Sequence, residues 1–204
     1  MADRSETPVS LPGGRDLRAT LDRADAVDDP RAAVVACPPH PQHGGDRHDS
    51  RLRAVSDTLG ERGIDCLRID YGAFDGGRGE RDDALTALAW ATDRYETVSL
   101  FGYSFGGAVA VLAAAENPDR LGAVSALAPA RRLSAGPDVP EAVSALTVPL
   151  QVVYGTRDDT ADAAPVADRA RERGGSVETL AADHFFIGQR ERVAELVAEF
   201  VTAG

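Results

Sequence analysis

Short apolar runs alternate with amphipathic segments along most of the chain. A run of about four to eight apolar residues is typical of a buried strand, whereas apolar positions three and four apart are typical of a helix. This pattern predicts strands at Val9–Leu11, Leu17–Leu21, Arg31–Cys37, Ile64–Asp70, Thr97–Gly102, Leu121–Leu127, Val148–Tyr154 and Ser176–Leu180. It predicts helices over residues 47–62, 80–93, 105–116, 161–173 and 189–202, and an irregular or weakly helical segment over 130–148.

The order of these elements indicates the fold class. Strands that alternate with helices of this length form a mostly parallel sheet with helices on both faces. The first two strands flank the turn-forming residues 12–16 and predict an opening hairpin. The prediction is therefore one α/β domain over residues 1–204, with a hairpin region at 1–30 and a core at 31–204.

The composition and the net charge indicate which classes of binding partner to expect. The 204 residues carry 33 acidic and 22 basic side chains, a net charge of −11, and every basic residue is Arg. A negative surface repels phosphate backbones, so nucleic acid is not expected as a partner. An acidic chain without Lys is typical of proteins from salt-loving microbes, but a high-GC genome would also replace Lys by Arg. Both explanations stay open.

The expected location of the protein and the expected state of its cysteines rest on features that the sequence lacks. No run of about 18 apolar residues predicts a membrane span, and the segment MADRSETPVS does not resemble a signal peptide. Cys37 and Cys66 are too few for a disulfide framework. We expect a cytoplasmic protein, either a monomer or a homodimer, with reduced thiols and no cofactor.

The segment Gly102-Tyr103-Ser104-Phe105-Gly106 carries the first chemical signal. It fits G-x-S-x-G, and it lies between a predicted strand and a predicted helix, where a nucleophile elbow would place a serine above the sheet. The turn is so sharp that the serine takes strained dihedral angles and glycine is needed two residues away on either side. The sequence therefore predicts Ser104 as a nucleophile.

A serine nucleophile needs a base and a carboxylate that orients it. His184 follows the strand at 176–180, and it is the one histidine after residue 48. Asp158 follows the strand at 148–154 and precedes His184, but Asp159 and Asp162 lie close to it. Ser104, Asp158 and His184 are the predicted catalytic residues, and the choice between Asp158 and Asp159 stays open.

These segments resemble the α/β-hydrolase superfamily, and in particular its small lidless branch of dienelactone-hydrolase-like proteins. The resemblance covers about residues 31–202 and rests on VVACPPHPQHGGD, IDYGAFDGGRGERDDA, LFGYSFGG, VVYGTRDD and ADHFF. It implies the α/β-hydrolase fold, the order Ser, acid, His, and no sizeable cap domain. The G-x-x-D spacing of the branch selects Asp158. Pro38 replaces the usual first His, and Asp70-Tyr71-Gly72 stands where Phe-Arg-Gly is common.

An oxyanion hole needs backbone amides near the nucleophile. One donor is expected to be the amide of Phe105, the residue after Ser104. The second should follow the strand at 31–37, where Pro38, Pro39 and Pro41 have no N–H. His40 is the expected second donor, with Gln42 as the reserve. Without a cap, the substrate pocket is expected to be open and shaped by Tyr71, Phe74, Tyr103, Phe105 and residues 130–146.

Together these residues favour a serine hydrolase of small or medium esters, thioesters or lactones. A binding or scaffolding module with a silent triad is the main alternative. A metal-assisted hydrolase that uses His40, His43 and His48 is a third reading, but their spacing matches no zinc signature. Residues 76–80 resemble a phosphate loop without its Lys, so a turn before a helix is the better interpretation.

Overall fold

One twisted sheet organises the chain. The computed structural model describes residues 6–13, 15–117 and 121–203, so part of the predicted hairpin turn and Pro118 lie outside the described residues. Within these ranges the strands are β1 (Glu6–Ser10), β2 (Arg18–Asp22), β3 (Ala32–Cys37), β4 (Asp65–Asp70), β5 (Thr97–Tyr103), β6 (Leu121–Leu127), β7 (Leu150–Gly155) and β8 (Ser176–Leu180). The predicted strands all form, with ends shifted by a few residues at most.

The sheet has the strand order β1-β2-β4-β3-β5-β6-β7-β8. β1 pairs antiparallel with β2, and β2 pairs antiparallel with β4, which confirms the opening hairpin. From β4 to β8 every described neighbour pair is parallel. Parallel strands bring their carboxyl ends to one edge of the sheet, and α/β proteins place their functional residues at that edge.

Helices cover both faces of the sheet. In the described residues they are α1 (Ser50–Glu61), α2 (Arg78–Thr92), α3 (Phe105–Glu116), α4 (Val139–Ala145), α5 (Ala164–Glu172) and α6 (Arg190–Thr202). Leu52 of α1 and Val197 of α6 belong to one buried apolar cluster, whereas α2 to α5 contribute to the cluster on the other face. The fold class predicted from the sequence is confirmed.

Among the helix starts that differ from the prediction, those of α1 and α2 have a local reason. Asp49 caps α1, because its carboxylate accepts the amide of Arg51 at 2.8 Å, so the helix begins after residue 49. α2 begins at Arg78, where the buried Glu80 carboxylate accepts the amide of Gly77 at 2.7 Å. The segment predicted as irregular or weakly helical contains only the short helix α4 among its described elements.

A buried ion pair joins the hairpin to the parallel part of the sheet. The Arg68 side chain is 1% exposed, and its Nε and Nη2 donate to the two oxygens of Asp22 at 2.6 and 2.9 Å. Ser56 of α1 donates to the same carboxylate at 2.5 Å, and Arg68 also donates to the carbonyl of Arg47. Each charge is therefore paired and hydrogen-bonded, as burial of a charge requires.

We predict that Asp22→Asn destabilises the fold by about 3–5 kcal/mol, because it leaves the buried Arg68 charge with only an exposed ionic partner among the described residues, the Glu6 carboxylate at 3.0 Å. Asp16→Asn is the matched control. Asp16 pairs with Arg18 on the surface, where loss of an ion pair costs about 0–1 kcal/mol. Urea unfolding of both variants and the wild type measures the difference, and equal losses in the two variants would contradict the structural role of Asp22.

Candidate active site

The three predicted catalytic residues lie just beyond the carboxyl ends of three strands. Ser104 follows β5, Asp158 follows the end of β7, and His184 follows β8. Because β5 to β8 are neighbours in the parallel part of the sheet, their following loops meet at one edge. Residues 26 and 80 positions apart in the chain thereby come into contact.

Ser104 occupies a strained turn between β5 and α3. Its backbone angles are φ 57° and ψ −116°, a combination that costs energy for any residue with a side chain. A Cβ at Gly102 would lie 2.1 Å from the carbonyl oxygen of Gly106, and a Cβ at Gly106 would lie 2.2 Å from that of Cys37. The close approach of these backbones explains why both flanking positions are glycine.

A continuous hydrogen-bond chain joins the three side chains. His184 Nε2 lies 2.9 Å from Ser104 Oγ, and His184 Nδ1 lies 2.8 Å from Asp158 Oδ2. The side chains of His184 and Asp158 are 7% and 2% exposed. This geometry lets the imidazole accept a proton from the hydroxyl while the carboxylate fixes the ring's orientation.

The geometry also distinguishes Asp158 from Asp159. Asp158 Oδ1 accepts the amides of Thr160 at 2.9 Å and Ala161 at 3.2 Å, which leaves Oδ2 facing the imidazole. Asp159 is exposed. The spacing of the sequence left the two acids open, and the hydrogen bonds of the Asp158 carboxylate favour it.

Two backbone amides of residues beside the serine have no acceptor among the described residues. They are those of Phe105, the first residue of α3, and His40, in the loop after β3. The loop closes on itself, because the His40 carbonyl accepts the amides of His43 and Gly45 at 3.0 and 3.1 Å. The role of these amides as oxyanion donors stays a prediction.

The His40 imidazole packs in a group of rings beside this loop. Its ring centroid lies 4.4 Å from that of His43, 4.8 Å from that of Phe105 and 4.9 Å from that of Phe74. Burial is the larger cause of a lowered pKa of His40, and the charge of His43 is the second. The lowered pKa favours the neutral imidazole, which suits packing against aromatic rings.

A cavity of about 320 Å³ opens at the serine, and some of the residues predicted to shape the substrate pocket line it. Tyr103 lines it, but Tyr71 and Phe74 are not among its described lining residues. Tyr71 is buried, packs edge-on against Phe105 and donates its hydroxyl to the Pro38 carbonyl at 3.3 Å, so it contacts the loop after β3. The lining residues are Pro39, His40, His43, Gly44, Gly45, Asp49, Arg51, Tyr103, Ser104, Thr160, His184 and Phe185.

Residues 130–146 were predicted to shape the pocket, but those of them that line a described cavity, residues 130–132, line a neighbouring one. That cavity has a volume of about 540 Å³, and it includes Thr160, which also lines the cavity at the serine. Asp49 and Arg51 were missed as wall residues. The signal that could have found them is their position at the start of the helix that follows the β3 loop.

The remaining candidate groups have ordinary surroundings. Cys37 is fully buried at the end of β3, and burial raises the pKa of its thiol to about 12. His48 Nδ1 lies 2.9 Å from Arg53 Nη2. Within residues 6–13, 15–117 and 121–203, no group of three or more His, Cys, Asp and Glu side chains is placed to hold a metal ion. No helix in these ranges is long and apolar enough to cross a membrane.

Solved structures and one sequence family resemble this arrangement. The family model "Esterase: Putative esterase" matches residues 85–183. A lidless α/β serine hydrolase from Xanthomonas campestris superposes with a TM-score of 0.80 at 23% identity, over 97% of this chain and 94% of that chain. The chain has the α/β-hydrolase fold. This finding confirms the predicted resemblance to the lidless, dienelactone-hydrolase-like branch.

Two further solved structures match over nearly their whole length. Dienelactone hydrolase from Anabaena variabilis has a TM-score of 0.74 at 24% identity, with 98% of both chains covered. Est1E from Butyrivibrio proteoclasticus has a TM-score of 0.81 at 19% identity, with 97% of this chain and 98% of that chain covered. A second Est1E structure contains bound ferulic acid. No curated protein matches the sequence of this chain.

We predict that Gly106→Ala destabilises the fold by about 3 kcal/mol, which is the upper end of the usual cost of overpacking. The cost is high because the new Cβ would meet backbone carbonyls that cannot move aside. Gly107→Ala is the control. Its nearest contacts would be 3.2 Å away, and alanine's helix propensity offsets part of their cost. Urea unfolding compares the two variants, and an undiminished stability of Gly106→Ala would contradict the elbow geometry.

Proposed function

We propose that the chain is a serine hydrolase that cleaves carboxylic esters through an acyl-enzyme on Ser104. The observation that carries the proposal is the hydrogen-bond chain from Ser104 through His184 to Asp158, at the strained turn after β5. A strained, partly exposed serine beside an oriented imidazole is what nucleophilic catalysis requires. A binding module has no need of this arrangement.

The first half of the proposed reaction transfers the acyl group. Ser104 Oγ attacks the acyl carbon while its proton passes to His184 Nε2. Asp158 stabilises the imidazolium and holds the Nδ1–H toward its own Oδ2. His184 then gives the proton to the leaving alcohol, and the carbon–oxygen bond of the ester breaks. The acyl group remains on Ser104.

Negative charge on the acyl oxygen needs donors that are already in place. The amides of Phe105 and His40 are the proposed donors, and the start of α3 adds the favourable end of a helix dipole. Because these groups are backbone amides, they need no reorganisation when charge develops. Loss of one such donor costs roughly 3–4 kcal/mol in comparable enzymes.

The second half releases the acid. His184 takes a proton from a water molecule, and the resulting hydroxide attacks the acyl carbon. The tetrahedral intermediate collapses, Ser104 leaves as the alcohol with the proton from His184, and the carboxylic acid departs. The site returns to its starting protonation state, so the proposed chemistry needs only water as a second substrate.

The cavity supports small or medium substrates. Its volume of about 320 Å³ lies at the lower end of the range for small-molecule sites. Phe185 at its rim is 55% exposed, so an apolar group can pack there without a cap. We propose esters, thioesters or lactones of this size, and the ferulic acid bound to Est1E supports testing aromatic acyl groups among them.

Labelling with a fluorophosphonate probe tests the proposed function, because the probe reacts with an activated serine and stays attached. We predict that the wild-type protein is labelled and that Ser104→Ala is not. His184→Ala should label at least about 100-fold more slowly, since the base is lost. Circular dichroism confirms that each variant is folded.

Ser99→Ala is the matched control, because Ser99 lies on the same strand but is buried. It should label like the wild type. A folded wild-type protein that fails to label, or labelling that persists in Ser104→Ala, would contradict the proposal and favour a binding module.

A further inference from the structure

The loop that carries His184 is held by its backbone as well as by its imidazole. The Tyr103 hydroxyl donates to the His184 carbonyl at 2.9 Å. Arg51 Nη1 donates to the next carbonyl, that of Phe185, at 3.0 Å. Two side chains from distant parts of the chain, β5 and the first turn of α1, thus hold two successive carbonyls of this loop.

Arg51 is itself fixed before it reaches the loop. Its Nε donates to Asp49 Oδ1 at 2.9 Å, and its Nη2 donates to the other oxygen of the same carboxylate. The two side chains are 16% and 9% exposed. Asp49 also caps α1, so this bidentate pair ties the guanidinium to a rigid helix end and limits its rotamers.

The Tyr103 ring contacts both Arg51 of α1 and the imidazole of His184, the proposed base. The guanidinium carbon of Arg51 lies 4.4 Å from the centre of the Tyr103 ring, a cation–π contact. The Tyr103 ring lies 5.3 Å from the His184 ring. Tyr103 is 2% exposed and directly precedes Ser104, so one residue links the positions of the nucleophile and the base.

Before His184, Arg157 anchors the loop by donating to the carbonyls of Ala181 and Ala182, whereas the outer side of the loop is more exposed. β8 is the edge strand of the sheet, and its residues are all exposed or half-buried. After His184, Phe186 is fully buried, but Phe185 and Ile187 are 55% and 81% exposed. A loop at an edge with exposed apolar residues has little packing to fix it, so the bonds from Arg51 and Tyr103 act where packing is sparse.

We propose that Arg51 and Tyr103 are positioning residues that keep His184 within hydrogen-bond reach of Ser104. The inference rests on the proposed function, since it concerns the base of that reaction. Neither residue exchanges a proton with the substrate. They act on the His184 backbone, and a displacement of about 1 Å at a catalytic group can cost about 100-fold in rate.

Two variants separate the two contacts. Tyr103→Phe removes only the hydroxyl and keeps the ring under Arg51. Arg51→Met removes the guanidinium and keeps an unbranched stem of similar reach. We predict that each lowers kcat for p-nitrophenyl acetate by about tenfold to 100-fold with KM changed less than about twofold. Arg53→Met is the control, because Arg53 lies on the same helix, is half exposed and carries the same charge.

A spectroscopic readout distinguishes positioning from a merely structural role. The proton on His184 Nδ1, shared with Asp158, should give a far-downfield NMR signal in the wild type and in Arg53→Met. We expect this signal to broaden or shift in Arg51→Met and Tyr103→Phe, because the ring is less well held. Thermal unfolding establishes that the variants are folded under the assay conditions, and if Arg51→Met does not fold, Tyr103→Phe decides.

The results of these experiments distinguish failure of the positioning role from failure of the proposed function. If the wild type does not react with a fluorophosphonate probe, the proposed hydrolase itself is wrong. If the wild type reacts but both variants match Arg53→Met in kcat and in the downfield signal, the positioning role is contradicted. A rise in KM alone, with kcat unchanged, would also contradict it, because Arg51 and Tyr103 would then be substrate contacts.

Discussion

The turn at Ser104 is the constraint on which the rest of the site depends. A serine with φ 57° stores strain, and the surrounding backbone must be close enough to hold it there. Gly102 and Gly106 allow that approach, since a side chain at either position would overlap a carbonyl oxygen. The strained serine, the two glycines and the start of α3 therefore form one unit, in which a side chain at either glycine would overlap a backbone carbonyl.

The parallel sheet supplies the other groups to this turn. β5 has β3 and β6 as neighbours, so the loop after β3, which carries the His40 amide, lies beside the elbow. Asp158 and His184 follow β7 and β8, farther along the same edge. The base therefore comes from the loop after β8, at an exposed edge of the sheet. This position explains why contacts from α1 and β5 to its loop are useful.

Local pattern was enough to predict the elements and to place Ser104, Asp158 and His184 after strands of one sheet. Apolar runs mark the buried strands, and glycines flank Ser104 because the turn demands them. The order of elements alone left Asp158 and Asp159 open, and only the resemblance selected Asp158, because the physical difference lies in which carboxylate accepts the amides of Thr160 and Ala161. The pocket walls were predicted less well. Tyr71 contacts the loop after β3, and the positions of such aromatic rings depend on packing between distant segments.

The contacts of Arg51 are a second feature that the sequence could not predict. A charged residue in the first turn of an amphipathic helix is usually solvated, and its sequence neighbours do not indicate the carbonyl of Phe185, 134 positions away. Long-range hydrogen bonds to the backbone leave no periodic signal, so only the folded arrangement shows them. The residues proposed to carry the chemistry could thus be named from the sequence, whereas those proposed to hold His184 in place could not.

The most direct test of the central claim is detection of the acyl-enzyme. The wild type would be mixed with excess p-nitrophenyl acetate and quenched in acid within milliseconds, and its intact mass and peptide map recorded. We predict a gain of one acetyl group per chain, located on Ser104. Release of p-nitrophenol with no acyl adduct, or with the adduct on another residue, would contradict it.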